Sequence, residues 1–500
     1  MNKYKPTKNF LNSENPKRNL NFPVVLLLSI GIFLIINLTG CKVGPDFKSP
    51  KASVPQSWAS ANLTSNKNLK VTVTNTSEIT KWWTNFNDAL LTELIDTALT
   101  QNLDIKIAVT RIRQARESYG ITRASLFPSS QVGSSYSHFY QNRPSVDSDS
   151  FRAGIDALWE LDIFGGNRRA TEAAMANINA AIEYFRDVQI SLAAEVALNY
   201  ITLRTLQQQI TIATNNLKAQ LQTLSISRQR YNAGFVSKLD VANAEAQAAT
   251  TESQISVLES SKRQIMHNIA VLLGKQPSEL LEKLEWKGAS EPSIPELNHD
   301  IRISIPSELL RRRPDIRRAE AQLHAATAKI GVAVSDLFPK FNLTGNFNFQ
   351  ESSLGELFTH PVRSGSIGPS INWQIFRAGA IRSNIRLQEA LRDEAFINYQ
   401  KVVLNAIAEV ENALTSLARE QEHSLALQKA VESNREAVAI AVKLYSEGVT
   451  DFLNVINAQR SLLASEDALA QSRKNISTAV IALYKALGGD WSIQPPDITK

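Results

Sequence analysis

The sequence predicts a mostly α-helical chain, built twice, in which each copy carries a pair of strands. Three observations predict it. Landmarks recur at an interval of roughly 210 residues. No proline falls between Pro144 and Pro277 or between Pro369 and Pro495, leaving two long stretches free to be helical. A segment of alternating polar and apolar residues follows each Leu-Phe-Pro.

From the amino end, the first element is an address. Lys3, Lys5, Lys8, Lys17 and Arg18 precede an apolar run from Phe22 to Leu38, broken by Pro23, Ser29, Gly31 and Asn37. That run is at the short limit for a spanning helix and suits the apolar part of a signal peptide. Leu38-Thr39-Gly40-Cys41 reads as a bacterial lipobox: an apolar residue, two small ones that fit a peptidase groove, and a thiol that takes the diacyl lipid. The competing reading is an uncleaved signal anchor with an incidental cysteine. Cys41 is the chain's only cysteine, and it stands where the motif requires one. In Gram-negative sorting an aspartate after the cysteine favours the inner membrane, so Lys42 points to the outer membrane. Residues 1–40 are therefore expected to be removed.

Composition then narrows the classes. The 500 residues, 43% hydrophobic and 20% charged, exclude wholesale disorder, and 20 glycines with 18 prolines exclude a collagen-like chain. One cysteine excludes a disulfide framework and a C-x-x-C redox pair. Loss of the leader removes five positive charges and one negative, taking the formal +6 to +2, so a nucleic-acid footprint has little support.

The duplication is read from ordered landmarks. Leu126-Phe127-Pro128 recurs as Leu337-Phe338-Pro339, 211 residues later. Tyr231-x-x-Gly234 with Leu239 and Val241 recurs 214 residues later as Tyr445-x-x-Gly448 with Leu453 and Val455, and Leu273-Gly274 recurs as Leu487-Gly488. Within each copy the expected order is helix, strand pair, long helix, turn, helix.

The helices follow from period. Leu203, Leu206, Ile210, Ala213, Leu217 and Leu224 form one coiled-coil-like seam, and Val403, Ile407, Val410, Leu414 and Leu417 form another. Long helices are expected over 167–232 and 381–446, each about 100 Å at ~1.5 Å per residue, so they must lie against neighbours. Shorter helices at 88–125 and 239–273, then 315–337 and 453–487, supply them.

Each Leu-Phe-Pro leads into strands. Phe341, Leu343, Gly345, Phe347 and Phe349 alternate with Asn342, Thr344, Asn346 and Asn348, and a return strand is expected near 367–376 with Ile371, Trp373 and Ile375 on one face. Pro369 is awkward there. The first copy offers 132–140, then Ile155, Ala157, Trp159 and Leu161. A soluble two-sheet insertion is the alternative. Four strands per chain cannot close a transmembrane barrel, for which about eight is the minimum, and an open edge is not tolerated in lipid. Strands in the membrane therefore require several chains.

These residues resemble a known family. Cys41-Lys-Val-Gly-Pro-Asp-Phe47, Trp82-Trp83 with Phe86 and Leu90, and Trp159-Glu-Leu-Asp-Ile-Phe-Gly165 carry the likeness. So do Leu309-Leu-Arg-Arg-Arg-Pro-Asp-Ile316 with Ala319-Glu320, and Tyr445-x-x-Gly448 running into Asn457-Ala-Gln-Arg460. The chain resembles the TolC-like outer-membrane efflux proteins, most closely the lipoprotein branch of outer-membrane factors for RND-type pumps (OprM/NodT-like). The resemblance implies a homotrimer with a 12-stranded β-barrel, four strands per chain, continued by a long periplasmic α-helical barrel. It implies a mixed equatorial region near 54–79, 277–306 and the tail. It also implies a periplasmic membrane-fusion adaptor and an inner-membrane RND-type pump as partners, with no cofactor beyond the lipid on Cys41.

The expected organisation is a signal peptide over 1–40, a lipid-anchored extended segment over 41–81 and a first repeat over 82–290 with its hairpin at 130–163. An inter-repeat segment (291–311), a second repeat (312–490, hairpin 340–376) and a tail (491–500) follow. By resemblance, Tyr231, Gly234, Leu239, Tyr445, Gly448 and Leu453 form two helix-turn-helix tips that meet the adaptor. Glycine is needed because a helix-ending turn takes a left-handed backbone. Asp451 and Asn457 are gate candidates; the family often has aspartate at the position of Asn457.

Other features read more plainly. Arg311-Arg312-Arg313 before Pro314 and Asp315 is expected to be the solvated approach to a helix rather than a phosphate patch. Glu160 and Asp162 are expected at a strand boundary. The six histidines (His138, His267, His299, His324, His360 and His423) show no H-E-x-x-H, and no phosphate loop or nucleophile elbow occurs. No metal or catalytic site is expected. The functional expectation is a passive outer-membrane exit duct for drugs or other small solutes, gated at its periplasmic tips. The alternative is a periplasmic coiled-coil adaptor or scaffold lipoprotein without a pore, and a lipid-anchored cell-wall enzyme would need an acid/base pair that is not seen.

Overall fold

A computed structural model describes residues 42–64, 71–74, 81–288, 291–297, 300–359, 361–489 and 491. The leader, Cys41, His299, His360 and the tail beyond Trp491 lie outside them. The chain forms two units. Of the described residues, one comprises 42–44 with 125–168 and 334–377; the other comprises those within 45–124, 169–333 and 378–491.

The first unit is a four-stranded antiparallel sheet. Strands β2 (Ser129–Gln141), β3 (Val146–Leu161), β5 (Lys340–Glu351) and β6 (Val362–Asn372) lie in the order β2-β3-β5-β6. The two hairpins, one from each copy, join where β3 pairs with β5. Direct partners in an antiparallel ladder share a face. The register therefore puts Val132, Tyr136, Phe151, Ile155, Trp159, Phe341, Leu343, Phe347, Ile367 and Ile371 on one face. The other face carries Ser135, Ser137, Arg152, Asp156, Asn342, Asn346, Gln350, Ser364, Ser366 and Ser370. The apolar face is not buried: Val132, Ile155, Ile367 and Ile371 are exposed. Beyond Phe151 it turns polar, where Tyr136 Oη donates to Asp149 at 2.7 Å.

The duplication is visible in detail here. Trp159 Nε1 donates to Leu126 O at 3.1 Å, and Trp373 Nε1 donates to Leu337 O at 3.1 Å, so each Leu-Phe-Pro turn is held by the tryptophan of its own return strand. One expectation is corrected. The last strand runs from Val362 to Asn372, so Trp373, Ile375 and Phe376 follow it instead of lying in it. Pro369 nevertheless lies within β6, opposite Leu343 of β5. Asp162 does sit at a strand boundary, accepting from Asn167 N at 3.1 Å and Arg168 N at 2.8 Å.

The second unit is helical. It holds α1 (Ala89–Gln101), α2 (Leu103–Ala124), nearly all of α3 (Gly166–Asn232), α4 (Lys238–Leu272) and the short α5 (Leu281–Leu284). It continues with α6 (Pro306–Arg312), nearly all of α7 (Pro314–Ser335), α9 (Ala380–Glu447) and α10 (Phe452–Ala486), whereas α8 (Leu354–Thr359) follows β5 in the sheet unit. The expected single helix over 88–125 is two. Asn102 closes α1 through its N–H on Ala98 O at 2.9 Å, and its Oδ1 accepts from Asp104 N at 2.7 Å to start α2. Its Nδ2 also donates to Leu272 O at 2.8 Å, fixing the break against α4.

A further difference is a parallel pair of short strands, β1 (Val71–Thr74) with β4 (Ile301–Ser304), which adds to the four expected. Four residues are too few for periodicity to reveal. The main core gathers Trp82, Trp83, Leu91, Ile95, Tyr200, Leu203, Leu414 and Leu487, with Trp82 stacked on Tyr484 at 5.4 Å. Ala173 and Ala176 of α3 meet Ala325 and Ala328 of α7 in a separate small-residue cluster.

The arginine run is also corrected. Arg311 is exposed, but Arg313 is only 7% exposed, donating to Asp315 Oδ2 at 2.7 Å, Glu409 Oε2 at 2.7 Å and Ala486 O at 2.9 Å. It is a structural tie between α7, α9 and α10, because a buried guanidinium needs carboxylate and carbonyl partners.

Candidate functional site at the two helix turns

The long helices end in the same way. At the first turn Gly234 has φ 76°, Gly234 N donates to Tyr231 O at 2.9 Å and Phe235 N to Arg230 O at 2.9 Å. At the second Gly448 has φ 80°, Gly448 N donates to Tyr445 O at 3.1 Å and Val449 N to Leu444 O at 2.9 Å. Both are the left-handed helix end that glycine permits at no steric cost. Ser237 and Asp451 then stand at equivalent N-terminal caps, each without a side-chain capping bond among the described residues.

The two tyrosines have different fates. Tyr231 is 43% exposed, whereas Tyr445 is 1% exposed. Tyr445 lies against Phe452 at 5.4 Å, and its hydroxyl is 3.1 Å from Ser227 Oγ of α3. Arg230 covers its ring at 4.8 Å and donates to its carbonyl oxygen. A Cβ on Gly448 would stand 3.3 Å from Arg230 Nη2, so the second turn fits under this guanidinium only closely. Leu224, Ala244, Val455 and Ile456 complete a small apolar cluster around Tyr445.

Of the expected residues, the structure thus brings Tyr445 and Gly448 against the end of α3. Tyr231, Leu239, Leu453, Asp451 and Asn457 stay on the surface. Phe235 and Val449 add exposed apolar side chains beside the two glycines. Ser227, Arg230 and Phe452 are parts of the site that sequence reasoning missed. Arg230 and Tyr445 are 215 residues apart, and no local pattern marks such a pair.

Polar contacts continue above the turns. Gln459 Nε2 of α10 donates to Thr223 Oγ1 at 3.0 Å, and Arg460 Nε to Gln247 Oε1 at 2.6 Å. Asn216 Nδ2 donates to Glu466 Oε2 at 3.0 Å, while Arg435 Nη2 holds Glu466 Oε1 at 2.7 Å. Elsewhere on α3, burial pushes the Glu183 carboxyl above its ordinary range, against the opposing pull of Arg317 and Arg186. Among the described residues no three His, Cys, Asp or Glu side chains form a metal-binding group, and no helix is long and apolar enough to cross a membrane.

Comparisons with known proteins agree on one family. The profile described as outer membrane efflux protein matches residues 94–275 and 305–489. Nodulation protein T of Rhizobium leguminosarum bv. trifolii is 30% identical over 465 residues, covering 92% of this chain and 97% of that protein. The antibiotic efflux pump outer membrane protein ArpC of Pseudomonas putida is 30% identical over 479 residues, with 93% and 96% covered. Among solved structures, the outer-membrane channel OprN aligns with a TM-score of 0.81 at 34% identity, over 90% of this chain and 100% of that one. CusC, whose structures concern transmembrane channel formation, aligns with a TM-score of 0.76 at 28% identity and the same coverage.

Proposed function

The chain belongs to the outer membrane efflux protein family, and on that premise we propose that it is the passive exit duct of a tripartite efflux system, gated at its two helix turns. The observation that carries the reading is the two-faced sheet. An exposed apolar face opposite a polar one suits lipid outside and water inside. From Leu161 to Phe151 the apolar face runs about 33 Å along the strand, or roughly 25 Å for a tilt near 40°, the height of an outer-membrane band. Both edge strands lack a second partner among the described residues. Three copies supply twelve strands, enough to close a barrel and satisfy every edge.

The remaining parts follow from that assembly. The helices would continue the conduit as an α-helical barrel in the periplasm, and diacylated Cys41 would hold each chain to the outer membrane. Exposed Tyr231, Phe235, Leu239, Val449 and Leu453 would offer six turn surfaces per trimer to a periplasmic adaptor, beneath which an RND-type pump supplies the energy. Arg230 and Tyr445 hold the second turn against the first and keep the entrance narrow. Drugs or other small solutes would pass without chemical change.

Planar-bilayer recording with chemical cross-linking tests this. The purified protein is expected to be a trimer of low conductance, with Arg230→Ala raising conductance severalfold because the guanidinium bridge between turns is lost. A monomeric product that never conducts, with or without the substitution, would sink the proposal.

A further inference from the structure

The buried side of α3 changes character towards its end. From Ala173 to Ala213 it is mostly apolar, but the next buried positions are Asn216, Gln220, Thr223, Leu224 and Ser227. Asn216, Gln220, Thr223 and Ser227 step 4-3-4, the spacing of a coiled-coil seam, and all four are polar. Three have partners: Asn216 on Glu466, Thr223 on Gln459 and Ser227 on Tyr445. The fourth does not. Gln220 is 3% exposed, and neither its amide nitrogen nor its amide oxygen has a hydrogen-bond partner among the described residues. Between two bonded positions, it leaves the seam one amide short.

The bonds on either side differ in kind. Glu466 is clamped twice, by Asn216 at 3.0 Å and by Arg435 at 2.7 Å, both charge-assisted. Gln459 holds Thr223 by one neutral bond at 3.0 Å. Thr223 and Gln220 are one turn apart on the same face, about 5–6 Å between Cβ atoms. That is a distance a glutamine amide covers with a small rotation of its helix. Amide against amide would give Gln459 and Gln220 up to two bonds in place of one.

We propose that this polar seam is a two-position track for α10, with Glu466 as its fulcrum and Gln220 as the partner reserved for the shifted position. When Arg230 lets go of Tyr445, the part of α10 below Glu466 rotates, and Gln459 passes from Thr223 to Gln220. Polar seams suit such a device, because exchanging one hydrogen bond for another costs little, whereas an unmade buried bond is expensive. The inference rests on the gating reading above and adds the moving contact.

Paired cysteines test it in the full-length membrane protein, where the only native cysteine is Cys41. Thr223→Cys with Gln459→Cys is expected to cross-link in the resting channel, and the bond should hold conductance low even when Arg230→Ala is added. Gln220→Cys with Gln459→Cys is expected to cross-link several times faster in the Arg230→Ala background than without it. Equal rates in both backgrounds, while Arg230→Ala raises conductance, would overturn the track and leave the gate intact. A shifted cross-linking pattern without any rise in conductance would support the track and remove the gate reading. Gln220→Leu supplies a second measurement: it should raise Tm and cut opening frequency about tenfold. A higher Tm with unchanged opening would mark Gln220 as a packing defect only.

Discussion

Tyr231 and Tyr445 occupy the same place in the two copies, yet one stands in solvent and the other fills a cluster against α3 and α10. The difference comes from what lies beside each: Arg230 and Phe452 enclose Tyr445. Environment also decides the charge behaviour of Glu183. Its Oε1 receives Arg186 at 2.7 Å and Arg317 at 2.8 Å, yet burial outweighs both and raises its pKa. A carboxyl whose folded pKa lies above the unfolded value binds its proton more tightly when folded. Its stabilising contribution is complete below the ordinary glutamate range and is lost as pH rises through the folded value. Expressed as wild type minus Glu183→Gln, the melting temperature is therefore expected to increase as pH is lowered from 7 towards 5. A difference that falls over that window in thermal scans would show that the arginines dominate.

At the scale of elements, α9 obeys its pattern. Val403, Val410, Leu414 and Leu417 of the expected seam are buried. Leu414→Ala is expected to cost about 2–5 kcal/mol, a large-to-small change in a closed core. Leu217→Ala, at a position of the expected α3 seam that is only half-buried, should cost well under half as much in the same denaturant titration. The contrast explains what the sequence could disclose. Proline-free length and a 3.5-residue apolar period announce the long helices to within a residue or two, and Gly234 and Gly448 announce their ends. The true seam of α3 near its turn is polar, and hydrophobic periodicity cannot see a polar seam. The Asn102 break is equally hidden, since the asparagine that makes it bonds to Leu272, 170 residues away. Arg313 looked like part of a solvated run because its partners Glu409 and Ala486 lie far along the chain. Spacing within one segment reveals element type; contacts between segments decide which side chains do the work.

At the scale of the whole molecule, the sheet of one chain ends in two open edges among the described residues. Strands of 13, 16, 12 and 11 residues are each long enough to cross the hydrocarbon layer, where about 9–11 are needed. Yet β2 and β6 each leave one edge unpaired among the described residues, and in lipid every unsatisfied N–H or C=O costs several kcal/mol. In the proposed trimer, pairing β2 of one protomer with β6 of the next would remove that cost, so assembly and membrane insertion are expected to be inseparable. Adjacent residues in a strand direct their N–H groups to opposite sides. Proline at Ser134 or at Ser135 therefore strikes either the ladder to β3 or the free edge. The edge-facing variant keeps the chain's own sheet and loses one bond only at the junction between protomers. Both variants are expected to reduce the heat-labile trimer band on semi-native gels, and the edge-facing one should do so while its helical circular dichroism is unchanged. Wild-type trimer from both variants would mean that protomers associate through their helices alone, and the sheet would then need another way to cover its edges.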